Sequence, residues 1–272
     1  MAKPQLDDFR ITASKGFALG RFDPAARPFL RGSKEEDAAR LAELSDFLDQ
    51  RQDIFYAEQR RKLLVILQGM DTSGKDGTVR SVFRSFDPLG VRVASFKAPT
   101  AEELARDYLW RVHAQVPRHG EVVIFNRSHY EDVLVTRVHG WIDDAEVKRR
   151  YRQIRNFEDM LSETGTTIIK CFLHISKSEQ KARLEARLAD PKKQWKFDPQ
   201  DIAERKFWQQ YQVAYEDAIA ATATPHCPWY VVPADNKLHR NLMVGEIIAD
   251  AFDTLKPSYP PPRPDLASIK VD

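Results

Sequence analysis

KLLVILQGMDTSGKDGTV, residues 62–79, decides the fold. Leu63-Leu64-Val65-Ile66-Leu67 is an unbroken apolar run of strand length, the pattern of a strand buried on both faces. The run ends at Gly69, and Gly74-Lys75 follow at the spacing G-x-x-x-x-G-K of a phosphate-binding loop. Glycines let the backbone turn its N–H groups inward around an anion, and the positive end of the next helix points at the same place. Lys75 adds a mobile point charge. Gly69, Ser73, Gly74, Lys75 and Asp76 are therefore the loop's candidate phosphate-binding residues. A Gly/Lys pattern also occurs in ordinary strand–turn–helix connections, but the buried strand before it and the helical pattern after it favour the phosphate site. Position 76 departs from the pattern. Asp stands where Ser or Thr usually helps to hold Mg²⁺, so a metal would fall to carboxylates, with Asp71 and Asp76 the nearest.

At 272 residues the chain is long enough for one large domain or two small ones. With 42% hydrophobic and 30% charged residues it has the composition of a soluble globular protein. No apolar run approaches the roughly 20 residues needed to span a bilayer, and no signal-peptide pattern is present, so a cytoplasmic protein without membrane contact is expected. Cys171 and Cys227 lie far apart and read as reduced, buried thiols. The 7 histidines show no H-x-x-x-H pair, which disfavours zinc. A net charge of +2 is too near balance for a general nucleic-acid binder, so any polyanion must be met by a local basic patch.

Outward from the loop, the chain divides into an irregular N-terminal arm (1–32), a main domain (33–255) and a Pro-rich tail (256–272). Ser33 with Glu36 forms a capping box that opens a helix to about residue 60. Helical patterns also cover 75–86, a stretch from the Thr100/Glu103 capping box past Trp110, segments up to about 162, 177–188, 201–223 and 238–255. Strands are expected at 91–96, 121–126, 166–175 and 229–232 besides the central one. Nearly all-apolar strands alternating with helices give an α/β fold, a three-layer α/β/α arrangement around a parallel sheet of about five strands. Ligands in such sheets sit at the carboxyl ends of the strands, where Gly69, Lys97, Asn126 and Ser176 fall.

The strand ending at Asn126 is where a nucleotide enzyme usually places an acid for Mg²⁺. Neutral Asn126 weakens a metal role but can bond water or phosphate, and Arg127 beside it offers a planar fork for phosphate oxygens. Glu131 and Asp132 open the next helix, where they either complement its dipole, worth about 0.3–1 kcal/mol, or serve a metal or substrate. Glu131, one turn on from Arg127, is the better candidate. Arg183 and Arg187 are four apart and so share a helix face, with Lys192, Lys193 and Lys196 in the charged loop that follows. Such charges are often a solvated surface; here, with Pro191 and Pro199 breaking the chain, they read as a lid over about 181–205 that closes on phosphates. Arg80 and Arg84 extend the basic track beyond what one triphosphate needs.

The runs GMDTSGKDGTVRSVF, SFKAPTAEELARDYLWR, IFNRSHYEDVLVTRVHG and ARLEARLADPKKQWKF, in this order, resemble the polyphosphate kinase 2 family over roughly residues 30–255. The NRSHYEDV form, with Asn126 where many members carry Asp, resembles the class III branch, which accepts both AMP and ADP. The resemblance implies a P-loop kinase fold, a homo-oligomer (dimer or tetramer), and transfer of the terminal phosphoryl of inorganic polyphosphate to AMP or ADP, giving ADP and ATP. It also implies Mg²⁺, with Mn²⁺ as a substitute, held by Asp71 and Glu131. On that basis Asp71, Lys75, Arg127 and Glu131 carry the chemistry. Arg80, Arg127, Arg183, Arg187 and Lys192 line the polyphosphate track, and Lys97, Ala98, Pro99 and Thr100 with Asn126 and Glu131 hold the nucleotide. The rivals are an ATP-dependent nucleotide or small-molecule kinase of the same fold and, more remotely, a non-catalytic nucleic-acid-binding module.

Overall fold

The computed structural model describes residues 5–264 and 269. In chain order it contains β1 (Arg10–Ile11), α1 (Lys34–Glu58), β2 (Lys62–Gln68), α2 (Lys75–Val82), β3 (Val91–Ser95), α3 (Ala101–Leu104), α4 (Trp110–His113) and β4 (Val122–Asn126). Then follow α5 (Glu131–Val138), α6 (Asp144–Glu163), β5 (Thr166–His174), α7 (Lys177–Ala189), α8 (Pro199–Glu204), α9 (Trp208–Thr222), β6 (Trp229–Pro233) and α10 (Lys237–Leu255). The strands form one sheet in the order β1-β6-β5-β2-β4-β3. The pairs from β6 to β3 are parallel. These are the five strands indicated by the apolar runs.

Along β2, Leu63 to Leu67 are fully buried. Leu64 and Ile66 face a layer built with Phe157 of α6 and Tyr215 of α9. Leu63, Val65 and Leu67 face the opposite layer, with Phe55 of α1 and Met243 and Ile247 of α10. Each such side chain contributes roughly 1.5–3 kcal/mol relative to exposure, so the central strand is fixed by burial on both sides. Cys171 and Cys227 sit in opposite layers, free and buried, and burial pushes both thiols up to about 12.

The arm is less irregular than its sequence indicates. Arg10 and Ile11 pair antiparallel with Tyr230 and Trp229, giving the sheet a sixth, edge strand too short to show a period. Leu19 and Phe29 of the same arm are buried against the two layers. The helix expected from Thr100 past Trp110 is instead two single turns. Thr100 does cap α3, its Oγ1 accepting from Glu103 N at 3.2 Å, but Asp107 Oδ1 accepts from Leu109 N at 3.0 Å and turns the chain before α4. Likewise a 3₁₀ turn at Arg205–Phe207 separates α8 from α9, and α2 stops at Val82.

In the tail, Tyr259 Oη donates to Asp53 Oδ2 at 2.7 Å. Residues 1–4 of the arm and 265–268 and 270–272 of the tail lie outside the described residues. Among the described residues no helix is long and apolar enough to cross a membrane.

Candidate active site

The parallel register brings Leu67, Ser95 and Asn126 to the same level, so the loops after β2, β3 and β4 open on one edge of the sheet. After β2 the backbone enters the left-handed region at Gly69 (φ 152°), Thr72 (φ 65°) and Gly74 (φ 105°), and Ser73 N closes the turn on Met70 O at 3.0 Å. A Cβ at Gly69 would lie 2.7 Å from Leu173 O, so only glycine fits there. Lys75, buried at the start of α2, arches back and donates to Gly69 O (2.6 Å) and Met70 O (3.3 Å). Burial, then the Arg127 charge, lowers its pKa to about 8, although Asp71, Glu131 and Asp76 oppose the shift.

Arg127 is the first residue past β4 and adopts φ 63°, its N–H donating to Leu67 O at 3.1 Å. A left-handed non-glycine conformation costs on the order of 1–3 kcal/mol. Here it turns the guanidinium back over the loop. Nη2 meets Asp71 Oδ1 at 2.6 Å and Nη1 lies 4.0 Å from Glu131 Oε2, and these carboxylates, Glu131 first, raise the Arg127 pKa further. With its amide oriented to satisfy both sides, Gln68 donates to Glu131 Oε1 at 3.1 Å.

The two departures from the usual pattern are one feature. Asn126 Nδ2 donates to Asp76 Oδ1 at 2.8 Å, whereas an Asp at 126 would set two carboxylates against each other. The acids nearest the strand end, Glu131 and Asp132, stand in the first turn of α5.

Three cavities meet at this edge, and Ala98 and Arg127 line all three. One of 690 Å³ runs over the loop and takes in Lys75, Asp76, Arg80, Asn126, Arg187 and Lys193. A second, of 540 Å³, lies between Lys97-Ala98-Pro99, Glu131 and the aromatic Tyr108 and Trp141. The third, of 340 Å³, gathers Asp71, Glu131, Asp198, Asp201 and Glu204. Arg187 of α7 reaches Asp201 of α8 at 3.4 Å, and burial, then Asp71, pushes the Asp201 carboxyl up to about 6.

Some expected residues lie elsewhere. Arg183 does not face the basic track. Its Nε donates to Glu179 (2.8 Å), Nη1 to Thr72 O and Ser73 O (2.9 and 3.1 Å), and Nη2 to Ala234 O and Asp235 O (both 2.7 Å). All five donors are used behind the loop, so none is left for polyphosphate. Thr100 is a helix cap and lines none of these three cavities, and Lys193 rather than exposed Lys192 faces the loop cavity. Asn126 lines the loop cavity, not the Lys97–Pro99 one. Asp201, Trp195 and Arg240 were not singled out by pattern. Trp195 occurs in a charged loop without periodicity, Asp201 lies in a helical stretch whose spacing does not say what its face meets, and Arg240 reaches the loop from α10, 166 residues after Gly74 (240 − 74).

The residues suit a hard divalent cation. Asp71 and Glu131 converge on the Arg127 guanidinium, an internal positive charge in the place a metal would neutralise, with Asp201 across the same cavity. Among the described residues no group of three or more His, Cys, Asp or Glu forms a ready cage. Asp71 and Glu131 are oxygen donors of the kind hard divalent cations take together with waters and phosphate oxygens.

Residues 31–260 match the model of the family described as "Polyphosphate kinase 2 (PPK2)". The chain is 51% identical over 263 residues to an AMP/ADP-polyphosphate phosphotransferase of Meiothermus ruber, covering 97% of this chain and 98% of that protein. It is 40% identical to an ADP-polyphosphate phosphotransferase of Rhodopseudomonas palustris, covering 96% and 94%. The crystal structure of Polyphosphate Kinase 2 from Arthrobacter aurescens TC1 superposes with TM-score 0.94 at 44% identity, over 98% of this chain and 96% of that one.

Proposed function

This chain belongs to the polyphosphate kinase 2 family, and we propose that it transfers the terminal phosphoryl of inorganic polyphosphate to AMP and ADP, reversibly. The observation that carries this is the meeting of two cavities at Arg127. One is a phosphate cradle lined with basic residues and open along the loop; the other is a chamber with aromatic walls for a nucleotide. The P–O bond to the last phosphorus of the chain breaks, and a bond forms from that phosphorus to a terminal oxygen of the nucleotide. Both oxygens are already ionised near neutral pH, so positioning and charge neutralisation suffice without a strong base.

In this scheme Lys75 leaves its carbonyl partners for the transferred phosphoryl, and the loop N–H groups hold it from the other side. Arg127, at the junction, neutralises charge between donor and acceptor. Arg80, Arg187 and Lys193 line the donor chain's path, while Arg183 keeps the loop in shape. In the nucleotide chamber Lys97, Ala98 and Pro99 form one wall, and Asp132 Oδ2, buried without a hydrogen-bond partner, offers an acceptor to a ribose hydroxyl or base amine. Asp71 and Glu131 would hold Mg²⁺, or Mn²⁺ in its place, with Asp76 and Asp201 as further acids lining the loop cavity beside Asp71. When bound, the ion supplies Lewis-acid neutralisation of the phosphate oxygens.

The same proposal takes residues 33–255 as the kinase domain with a lid at about 181–205, flanked by the arm and tail. It places the enzyme in the cytoplasm as a dimer or tetramer, with neither nucleic acid nor membrane as partner. Sedimentation velocity checks that assembly, with the mass of two or four chains as the expected result.

The direct test is ATP formation from ADP, Mg²⁺ and polyphosphate, abolished by a chelator. A protein that phosphorylated acceptors only when given ATP would instead be an ordinary kinase. Two further outcomes are expected. Arg187→Ala should raise KM for long polyphosphate about tenfold, the worth of one charge-assisted bond, while KM for ADP stays nearly constant. Because Lys75 has a lowered pKa, it loses its proton in the empty site as pH climbs through about 8. Phosphate favours the charged form, so KM for polyphosphate should rise with pH between about 7 and 9 rather than fall.

A further inference from the structure

The carbonyl side of the phosphate loop rests on two buried guanidinium groups. Arg183 is the saturated one already described. Arg240, on α10, is only 3% exposed. Its Nη1 donates to Ser73 O at 3.2 Å, and its Nε and Nη2 both donate to Asn241 Oδ1, at 3.1 and 2.9 Å. The guanidinium lies directly against the loop and the first turn of α2. A Cβ at Gly74 would overlap it, and one at Gly77 would come within 3.1 Å of Nη2.

Among the described residues no carboxylate comes within ion-pair distance of Arg240. Arg183 has Glu179 at 2.8 Å, but Arg240 has only neutral oxygens and a second cation nearby. Burial, then the Arg183 charge, disfavours the charged form of Arg240, and burial, then both arginines, lowers the pKa of Lys237 on the same helix. A buried cation without a counter-ion is costly, and a helix packed for stability alone would be better served by an apolar side chain there. The missing negative charge has one place to come from. On the other face of the same loop lies the cradle lined by Lys75 and Arg187.

We propose that Arg240 is a positioning residue whose counter-ion is the bound phosphate chain. It holds the Ser73 carbonyl back so that the loop N–H groups face the ligand, and it adds positive charge through the peptide plane at Gly74. This rests on the phosphate-binding role assigned above to the loop. In the empty protein the charge is a burden; with phosphate bound it is neutralised.

The test uses the full chain and inorganic tripolyphosphate as probe, read by calorimetric titration and thermal melting. Arg240→Met removes the charge and keeps the length. The unliganded variant should melt at or above the wild-type temperature, while its dissociation constant for tripolyphosphate rises about tenfold and the salt dependence of binding becomes shallower. Arg240→Lys keeps a charge but loses most of the hydrogen bonds, and should recover most of the affinity. A variant that melts well below wild type yet binds tripolyphosphate unchanged would make Arg240 a packing pin and overturn the inference. If Arg240→Met does not fold, Arg240→Lys decides: affinity close to wild type supports the charge role, and a tenfold loss contradicts it. Failure of the wild-type protein itself to bind tripolyphosphate would remove the phosphate site, and the inference with it; normal wild-type binding with no effect of Arg240 removes the inference alone.

Discussion

Lys75→Ala should lower kcat/KM for polyphosphate by about 10³-fold or more, roughly 4 kcal/mol of transition-state stabilisation, while shifting the melting temperature by only a few degrees. The asymmetry follows from where the side chain is. Lys75 is 8% exposed, and its ammonium donates to Gly69 O and Met70 O. Burial already disfavours its charge, so removing it costs the empty fold little. The loop keeps its shape through the positive-φ backbone at Gly69 and Gly74 and the Arg183 contacts to Thr72 O and Ser73 O, which remain when the Lys75 bonds to Gly69 O and Met70 O are lost. What disappears is a flexible cation of the loop cavity, the one proposed to follow the phosphoryl group. A drop in activity matched by a large drop in melting temperature would make Lys75 structural, and unchanged activity would take it out of the site.

Asp71→Asn should cost about 10²-fold or more in kcat and move half-saturation by Mg²⁺ to higher concentration. Asp71 Oδ1 accepts from Arg127 at 2.6 Å, and an amide oxygen can still do so. If Asp71 served only to orient Arg127, the asparagine variant would keep its metal dependence and much of its rate. A carboxylate that also holds the ion cannot be replaced by a neutral group in this way, because the hard cation needs the charge as well as the oxygen. The titration against Mg²⁺ thus separates the two roles, with protein stability as control. Only a modest change in stability is expected, since the pair is partly open to solvent at 40% and 25%.

What the chain discloses depends on how local each feature is. The central strand, the loop and Lys75 are contiguous, so one apolar run and a glycine spacing reveal them, and the sheet follows because its strands are nearly all apolar. β1 escapes because two residues have no period. Arg183 and Arg187 share a spacing that places them on one helix face, but spacing does not say what that face meets. Arg187 opens on the loop cavity, and Arg183 is spent on backbone carbonyls behind it. Asp76 and Asn126 each stand out as departures, yet their match is invisible until β2 and β4 pair and bring residues 50 apart within 2.8 Å. Arg240 has no local signature at all. A charge that owes its place to tertiary packing cannot be read from its neighbours in sequence.

Polyphosphate as the sole phosphoryl source for both acceptors is the central claim, and phosphorus-31 NMR of the purified protein with AMP, Mg²⁺ and polyphosphate tests it most directly. The expected record shows ADP first and ATP after it, as the resonances of terminal and internal polyphosphate phosphates change with chain shortening. AMP that stays unchanged over many hours in that mixture, but becomes ADP once ATP is added, would contradict it.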